Sequence, residues 1–438
     1  LRPALAFLVK NKALHYPLFR NYLLLRITII LALNMQSTIV SYYVYKLTHD
    51  KLALGMLGLW EVIPAIGVSL FSGHFVDIRE KKSVLTQAVI GYILLSAFFV
   101  FLAWPGAQHL FSVKGILWLI YGGIFIGGAL RAFLSPASFA LLGMLVPKKL
   151  YSNATTWSST SWQIGAVAGP LLAGFMIATS GFYFSLISVG IIEIISLVAI
   201  LRIPRQPILN KQREAISKSL GEGLRFVFNT KIILAALSLD MFAVLFGGAV
   251  ALLPVYADDI LKVGELGYGW MRAAPGIGSI ISLIILSFIP LKNAPGTKLL
   301  LSIAAFGVTT IVFGFSGHFG IQPLFTLWGF GVSPGFMIAF AMLLLGGLFD
   351  AVSVVIRGTI LQVYTPDSMR GRVAAVNTMF ISSSNELGAM ESGITARVMG
   401  TVPAVVFGGC MTLVVVAATW FMTPSLMKLD LHKVDSDD

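Results

Sequence analysis

Eleven ionisable residues stand inside stretches of chain that are otherwise apolar. The acids are Glu61, Glu193, Asp240, Asp350, Glu386 and Glu391, and the bases are Arg26, Arg131, Arg272, Arg357 and Arg397. A charge in hydrocarbon costs roughly 3 kcal/mol or more, so residues of this kind carry protons, hold ions or meet a polar substrate. Asp240 has no cation within one helical turn in sequence, and nothing local holds it ionised. It is therefore the first candidate for proton coupling, followed by Glu386, Glu61 and Asp350. Asp350 and Arg357 lie seven residues apart, two turns on one face with about 10 Å of rise. That is too far for a direct bridge but suits two groups that share one substrate. Arg131, Arg357, Arg272 and Arg26 are candidates to line a substrate cavity. Trp60, which precedes Glu61, and Trp270, near Arg272, join them. Glu193 fits none of these roles.

Other chemistries are poorly provided for. All six histidines fall in or beside loops, and no HExxH, GxSxG or P-loop pattern occurs, so an enzyme is not expected. Cys410 is the single cysteine, which excludes an internal disulfide and a thiolate metal site. We expect no cofactor and no metal. The 438 residues are 57% hydrophobic and 11% charged, which excludes an ordinary soluble domain and a disordered chain.

The elements that must position these groups are membrane helices, each about 20 apolar residues long. Twelve segments qualify: 18–45, 52–74, 83–104, 115–146, 153–179, 181–202, 231–257, 266–290, 299–316, 326–361, 371–397 and 401–423. The net charge of +12 is distributed unevenly. One set of loops and both tails hold most of the lysines and arginines, whereas the opposite side has only Lys46, Lys51, Lys114 and Lys262. This asymmetry places both termini in the cytoplasm and explains the basic balance without nucleic acid. The start, Leu1-Arg2-Pro3, has no methionine and no cleavable signal peptide is visible, so a trimmed start is expected. Residues 1–206 form one six-helix bundle, 207–230 a cytoplasmic linker and 231–438 a second bundle with a short tail. In the linker Ile216, Leu220, Leu224 and Phe228 step by four, which predicts an amphipathic helix along the inner membrane face.

The chain also repeats itself. At an offset of 219, Gly127-Gly128 falls on Gly346-Gly347, Gly169 on Gly388 and Gly174 on Gly393. At an offset of 211, Val44-Tyr45 falls on Val255-Tyr256 and Pro64 on Pro275. Two bundles of common origin are the natural reading. Charges swap sign between them: Arg131 falls on Asp350, and Glu61 on Arg272.

Several motifs carry a family resemblance. Gly73-His74-Phe75-Val76-Asp77-Ile78-Arg79-Glu80-Lys81-Lys82 resembles the loop of the major facilitator superfamily between its second and third spans. Ile78 replaces the usual basic residue and Glu80 the usual second glycine. In that family the loop latches the halves on the cytoplasmic side, a role that falls here on Gly73, Asp77, Arg79, Lys81 and Lys82. Gly165-Ala166-Val167-Ala168-Gly169-Pro170, closed by Ala173-Gly174, is similar to the span-5 motif of proton-coupled antiporters. Ser135-Pro136-Ala137, Thr365-Pro366-Asp367 and Arg370-Gly371-Arg372 resemble the branch that contains enterobactin exporters and macrolide efflux pumps. Arg131 lacks the glutamine-glycine pair that follows the arginine in drug–proton antiporters. The resemblance implies an all-α fold of twelve transmembrane helices in two pseudo-symmetric six-helix bundles. It implies proton-coupled efflux of a small drug or siderophore by alternating access in the inner membrane. A lipid or lysophospholipid flippase and an uptake permease are the alternatives on the same fold. The expected partners are a small-molecule substrate, protons and membrane lipid, with no nucleic acid, and the chain is expected to be a monomer.

Overall fold

The computed structural model describes residues 12–207, 216–288, 294–327, 329–366 and 369–427. Helices dominate: α1 (Pro17–Thr48), α2 (Lys51–Ile78), α3 (Lys81–Ala103), α4 (Val113–Leu145), α5 (Tyr151–Leu201), α6 (Ile216–Asn229), α7 (Lys231–Phe246), α8 (Gly264–Phe288) and α9 (Pro295–Gly314). A hairpin of β1 (Phe325–Leu327) and β2 (Phe330–Val332) follows, then α10 (Pro334–Tyr364), α11 (Arg370–Met399) and α12 (Thr401–Met422). Ten helical segments among the described residues are long and apolar enough to cross a membrane, so the chain is a multi-pass membrane protein.

The segments 153–179 and 181–202 form as two helices, which meet within α5 at Gly181, where φ of 73° is a conformation open to glycine. Three other elements differ from their expected form. The expected span 231–257 is broken. Helix α7 ends at Gly247-Gly248, and the chain continues through a 3-10 turn (Ala249–Leu252) to a π turn (Tyr256–Ile260). Ser392 Oγ of α11 donates to the Gly248 carbonyl at 3.2 Å, giving the interrupted backbone a partner. The span expected at 326–361 starts instead at Pro334. β-formers around Gly329 (φ 93°) favour the hairpin, and Ser333 caps α10 by accepting from Phe336 N at 3.2 Å.

The third difference concerns α6. Its helix is present, but Val227 is fully buried in a cluster with Ile233 and Leu237 of α7 and Val373 and Val376 of α11. Glu222 pairs with Arg372 of α11 at 2.5 Å. Of the face expected to meet lipid, Leu224 packs on this cluster beside Val227, whereas Phe228 is exposed and the side chains of Ile216 and Leu220 lie outside the described residues.

Two compact units make up the chain. One is formed by residues up to Val40 with Ile63–Arg213, the other by Ser41–Val62 with the residues from Glu214 onward. The core of the first joins Phe19, Tyr22 and Leu25 of α1 to Leu85 and Val89 of α3, Leu141 of α4 and Ile200 of α5. In the second, α10 packs along α8 and α9, and α9 packs along α12.

The internal repeat is visible as repeated packing. A Cβ on Gly169 would stand 2.6 Å from Asn34 Cβ, and one on Gly388 would stand 2.9 Å from the Leu245 carbonyl. The same offsets carry Gly127 against Leu95 onto Gly346 against Phe306, at 3.1 and 3.6 Å. Each unit thus uses glycine at equivalent places to bring helices together.

Candidate functional site

Asp240 on α7 and Arg357 on α10 form an ion pair in the interior of the second unit. Their residues are only 5% and 4% exposed, and Leu239, Ala243, Ile356 and Ile360 surround them with apolar surface. No cation within one turn of chain holds Asp240; its cation is Arg357, which comes from a helix distant in sequence. Arg357 is paired with Asp240, while Asp350, two turns earlier on α10, is half-buried. Removing one member of a buried pair typically costs about 3–5 kcal/mol, since the other charge is stranded. A charge pair this dry is also one in which proton binding and pairing compete directly.

Helix α2 meets α11 through glycine. Gly55 lies on Gly393, and a Cβ on Gly58 would reach 2.5 Å from the Glu386 carbonyl. Glu61 stands one turn beyond Gly58, so this crossing gathers two of the candidate acids, both half-buried. Glu391 is half-buried farther along α11.

A second constellation lies where α1 ends. Tyr42 Oη donates to Asp258 at 2.5 Å, Lys46 Nζ reaches Asp258 at 2.7 Å, and Tyr45 Oη donates to Asp259. The π turn presents the two aspartates side by side. Tyr42 stacks on Tyr268 with ring centroids 4.8 Å apart, and Arg272 Nη1 approaches Tyr268 Oη at 3.4 Å. Trp270 meets Phe340 edge-on, and Trp60 is half-buried on α2. Arg397 faces Asp50 at 4.0 Å near the surface. Tyr42, Tyr45, Asp258 and Asp259 were not singled out from the sequence. The available signal was the repeat itself, which sets Val44-Tyr45 on Val255-Tyr256, the segments that meet here.

In the first unit Arg26 is half-buried, and its Nη1 donates to Ser138 Oγ at 3.0 Å, beside Tyr22 Oη at 2.9 Å. Arg131 is exposed on α4. The glycine motif of α5 packs on α1: Gly165 lies on Ile30 and Leu31, and Gly169 on Asn34 and Met35, with Pro170 and Gly174 buried beside them. Gly169→Leu should destabilise the protein by about 1–3 kcal/mol through overpacking. Gly67→Ala, where nothing stands within 4 Å, should leave stability unchanged. Thermal melts of the two purified variants check this contrast.

The side chain of Asp77 lies outside the described residues. The backbone of Gly73 and Asp77 belongs to the last turns of α2, and Glu80 caps α3. Glu80 accepts from Lys82 N at 3.1 Å, Ser83 N at 2.8 Å and Gln206 N at 3.0 Å. Lys81 is buried, with Nζ donating to the Val76 and Arg79 carbonyls, and Lys82 Nζ reaches the Leu201 carbonyl at 3.4 Å. Arg79 lies over the Phe75 ring. Glu80 and Lys82 tie the α2–α3 turn to the end of α5 and the residues after it, while Lys81 and Arg79 bond within the turn.

A buried ion pair, close helix crossings at glycine and a repeated packing plan suit a membrane transporter. Residues 22–384 match the family model of the Major Facilitator Superfamily, and the chain belongs to that family. It is a membrane transporter and not an enzyme. Among curated proteins it is similar to the enterobactin exporter EntS of Shigella boydii serotype 18. The identity is 25% over 412 residues, covering 91% of this chain and 90% of that one. EntS of Escherichia coli O6:K15:H31 matches at 25% with the same coverage. Among solved structures, the nucleoside transporter NupG superposes with a TM-score of 0.69 at 14% identity, over 92% of this chain and 99% of that one. A bacterial homolog of the human lysosomal transporter Spinster gives 0.64 at 15%, over 93% and 98%. These two likenesses establish the fold.

Proposed function

We propose that this transporter exports a small amphipathic molecule, of the drug or siderophore kind, in exchange for protons by alternating access. The direction and substrate class rest on the similarity to enterobactin exporters across 91% of the chain. The coupling rests on one observation, the buried Asp240–Arg357 pair. Asp240 can be held by Arg357 or by a proton. The intact pair favours one state of the cycle and the protonated acid the other, so the proton drives the change between them while substrate can bind either form. Glu386 and Glu61, gathered at the α2–α11 crossing, are the next candidates.

Twelve crossings follow when α5 is counted twice about Gly181 and α11 is added. Helix α11 has the length but carries Arg372, Glu386, Glu391 and Arg397. Two six-helix bundles of common origin, in the inner membrane with both termini cytoplasmic, are supported by the repeated glycine contacts and the loop cations. In a background lacking Cys410, cysteines at 110 and 262 should react with an impermeant reagent from outside and one at 212 should not. The reverse pattern overturns this orientation.

Proteoliposomes challenged with enterobactin, macrolides, fluorescent drugs and lysolipids test the function. Uphill movement of a siderophore or drug driven by a pH gradient supports the proposal. Movement of lysolipid alone, or substrate accumulation in intact cells, contradicts it.

A further inference from the structure

Glu193 lies in the second half of α5, on a helix whose lipid-facing side exposes Ile191, Ile194, Ile195 and Val198. The acid is not on that side. It belongs to the seam Leu186, Val189, Glu193, Ser196 and Ile200, all buried, and is itself 0% exposed. The side chain therefore cannot reach water by extending along the helix. The Ser96 hydroxyl of α3 lies against it, yet neither carboxyl oxygen completes a hydrogen bond.

The charged and titratable groups of the packed elements are engaged elsewhere. On α3, Tyr92 Oη donates to the Gly127 carbonyl at 2.8 Å, Lys81 Nζ to the Val76 and Arg79 carbonyls, and Lys82 Nζ to Leu201. On α1, Arg26 and Tyr22 both bond Ser138. The other polar groups of the seam are neutral. Gln36 Nε2 approaches Ser96 Oγ at 3.4 Å, and Thr28 Oγ1 bonds Ser196 Oγ at 2.7 Å.

The internal repeat shows that packing does not require this acid. At the offsets that relate the two halves, Glu193 corresponds to Thr412 and Ser96 to Gly307. Those residues touch in the second unit, where a Cβ on Gly307 would lie 3.2 Å from Thr412 Cγ2. Thr412 satisfies itself by donating to backbone carbonyls of Ala243 and Gly408. The second unit thus builds the same seam without a carboxyl group, while the first keeps one whose charge has no counter-ion among the described residues.

We propose that Glu193 is a proton-binding site inside the first unit, its carboxyl carrying a proton that is donated to Ser96 Oγ. An ionised carboxylate buried without a cation or donors is strongly disfavoured. A proton taken from water removes the charge and supplies the missing donor. Ser96 Oγ has a second lone pair to accept it beside the Gln36 amide. Sodium fits less well: among the described residues the polar side chains beside the carboxyl are Ser96 and Gln36, and Gln36 turns its amide nitrogen to Ser96. The site is separate from Asp240 and does not depend on that residue's role in coupling.

Infrared spectra of the full chain in lipid bilayers at neutral pH test the assignment. The neutral-carboxyl stretching band should lose one carboxyl equivalent in Glu193→Thr, which installs the residue used by the second half. Glu193→Gln, which keeps the shape, should lose the same band and serves if the threonine variant folds poorly. Ser96→Ala should shift the band without removing it, since only the acceptor is lost. Spectra of the wild-type chain identical to those of both variants would overturn the proposal. So would a Glu193 band that disappears when sodium replaces potassium, which would make the site one for sodium.

Discussion

Replacing Asp240 by asparagine abolishes pH-driven net efflux in proteoliposomes while exchange of substrate for substrate survives. Asparagine imitates the protonated acid permanently, so the step that reads the proton gradient is lost and the steps that move loaded substrate are retained. The variant also strands Arg357 in apolar surroundings, and a stability loss of about 3–5 kcal/mol accompanies it. The two effects are separable. Asp240→Leu combined with Arg357→Met removes the pair together and should recover stability in a thermal melt, but not coupling. Unaltered pH-driven transport by the asparagine variant would remove Asp240 from the mechanism and turn attention to Glu386 and Glu61.

The aromatic clasp at the end of α1 gives the second large effect. Changing Tyr42 and Tyr45 together to phenylalanine deletes two hydroxyl–carboxylate hydrogen bonds while keeping the rings and the Tyr42–Tyr268 stack. Hydrogen bonds to charged groups contribute about 1.5–3 kcal/mol each, so losing two shifts a conformational equilibrium by about a hundredfold or more. The shift should favour the state in which this end, outward in the proposed topology, is open. Spin labels at His49 and Lys262 should then show a longer separation that is rare in the parent chain. An unchanged distance distribution would make the clasp a passive contact.

The membrane helices were legible because about 20 consecutive apolar residues admit few other structures. The paired glycines revealed the repeat, since a missing side chain at a helix crossing leaves a mark that hydrophobic exchanges do not blur. Hydropathy could not show the break at Gly247-Gly248, because Gly247 to Tyr256 is as apolar as a continuous helix would be. The hairpin before Pro334 was hidden for the same reason. The partner of Asp240 was invisible because a search within one turn sees only one helix, and Arg357 arrives from another. Helix α6 had the right periodicity, but periodicity records only that a face is apolar. That Leu224 and Val227 pack on α7 and α11 while Phe228 stays exposed is a tertiary fact. Glu193 was visible as an anomaly, and the seam it occupies became clear only when α1 and α3 were packed beside it.

Proton flux measured under a substrate gradient alone tests the central claim most directly. Vesicles loaded with a transported substrate and diluted into substrate-free buffer, with no initial pH difference, should take up protons as substrate leaves, and Asp240→Asn vesicles should not. Protons leaving together with the substrate, or no proton movement during substrate release by the parent protein, would contradict the account.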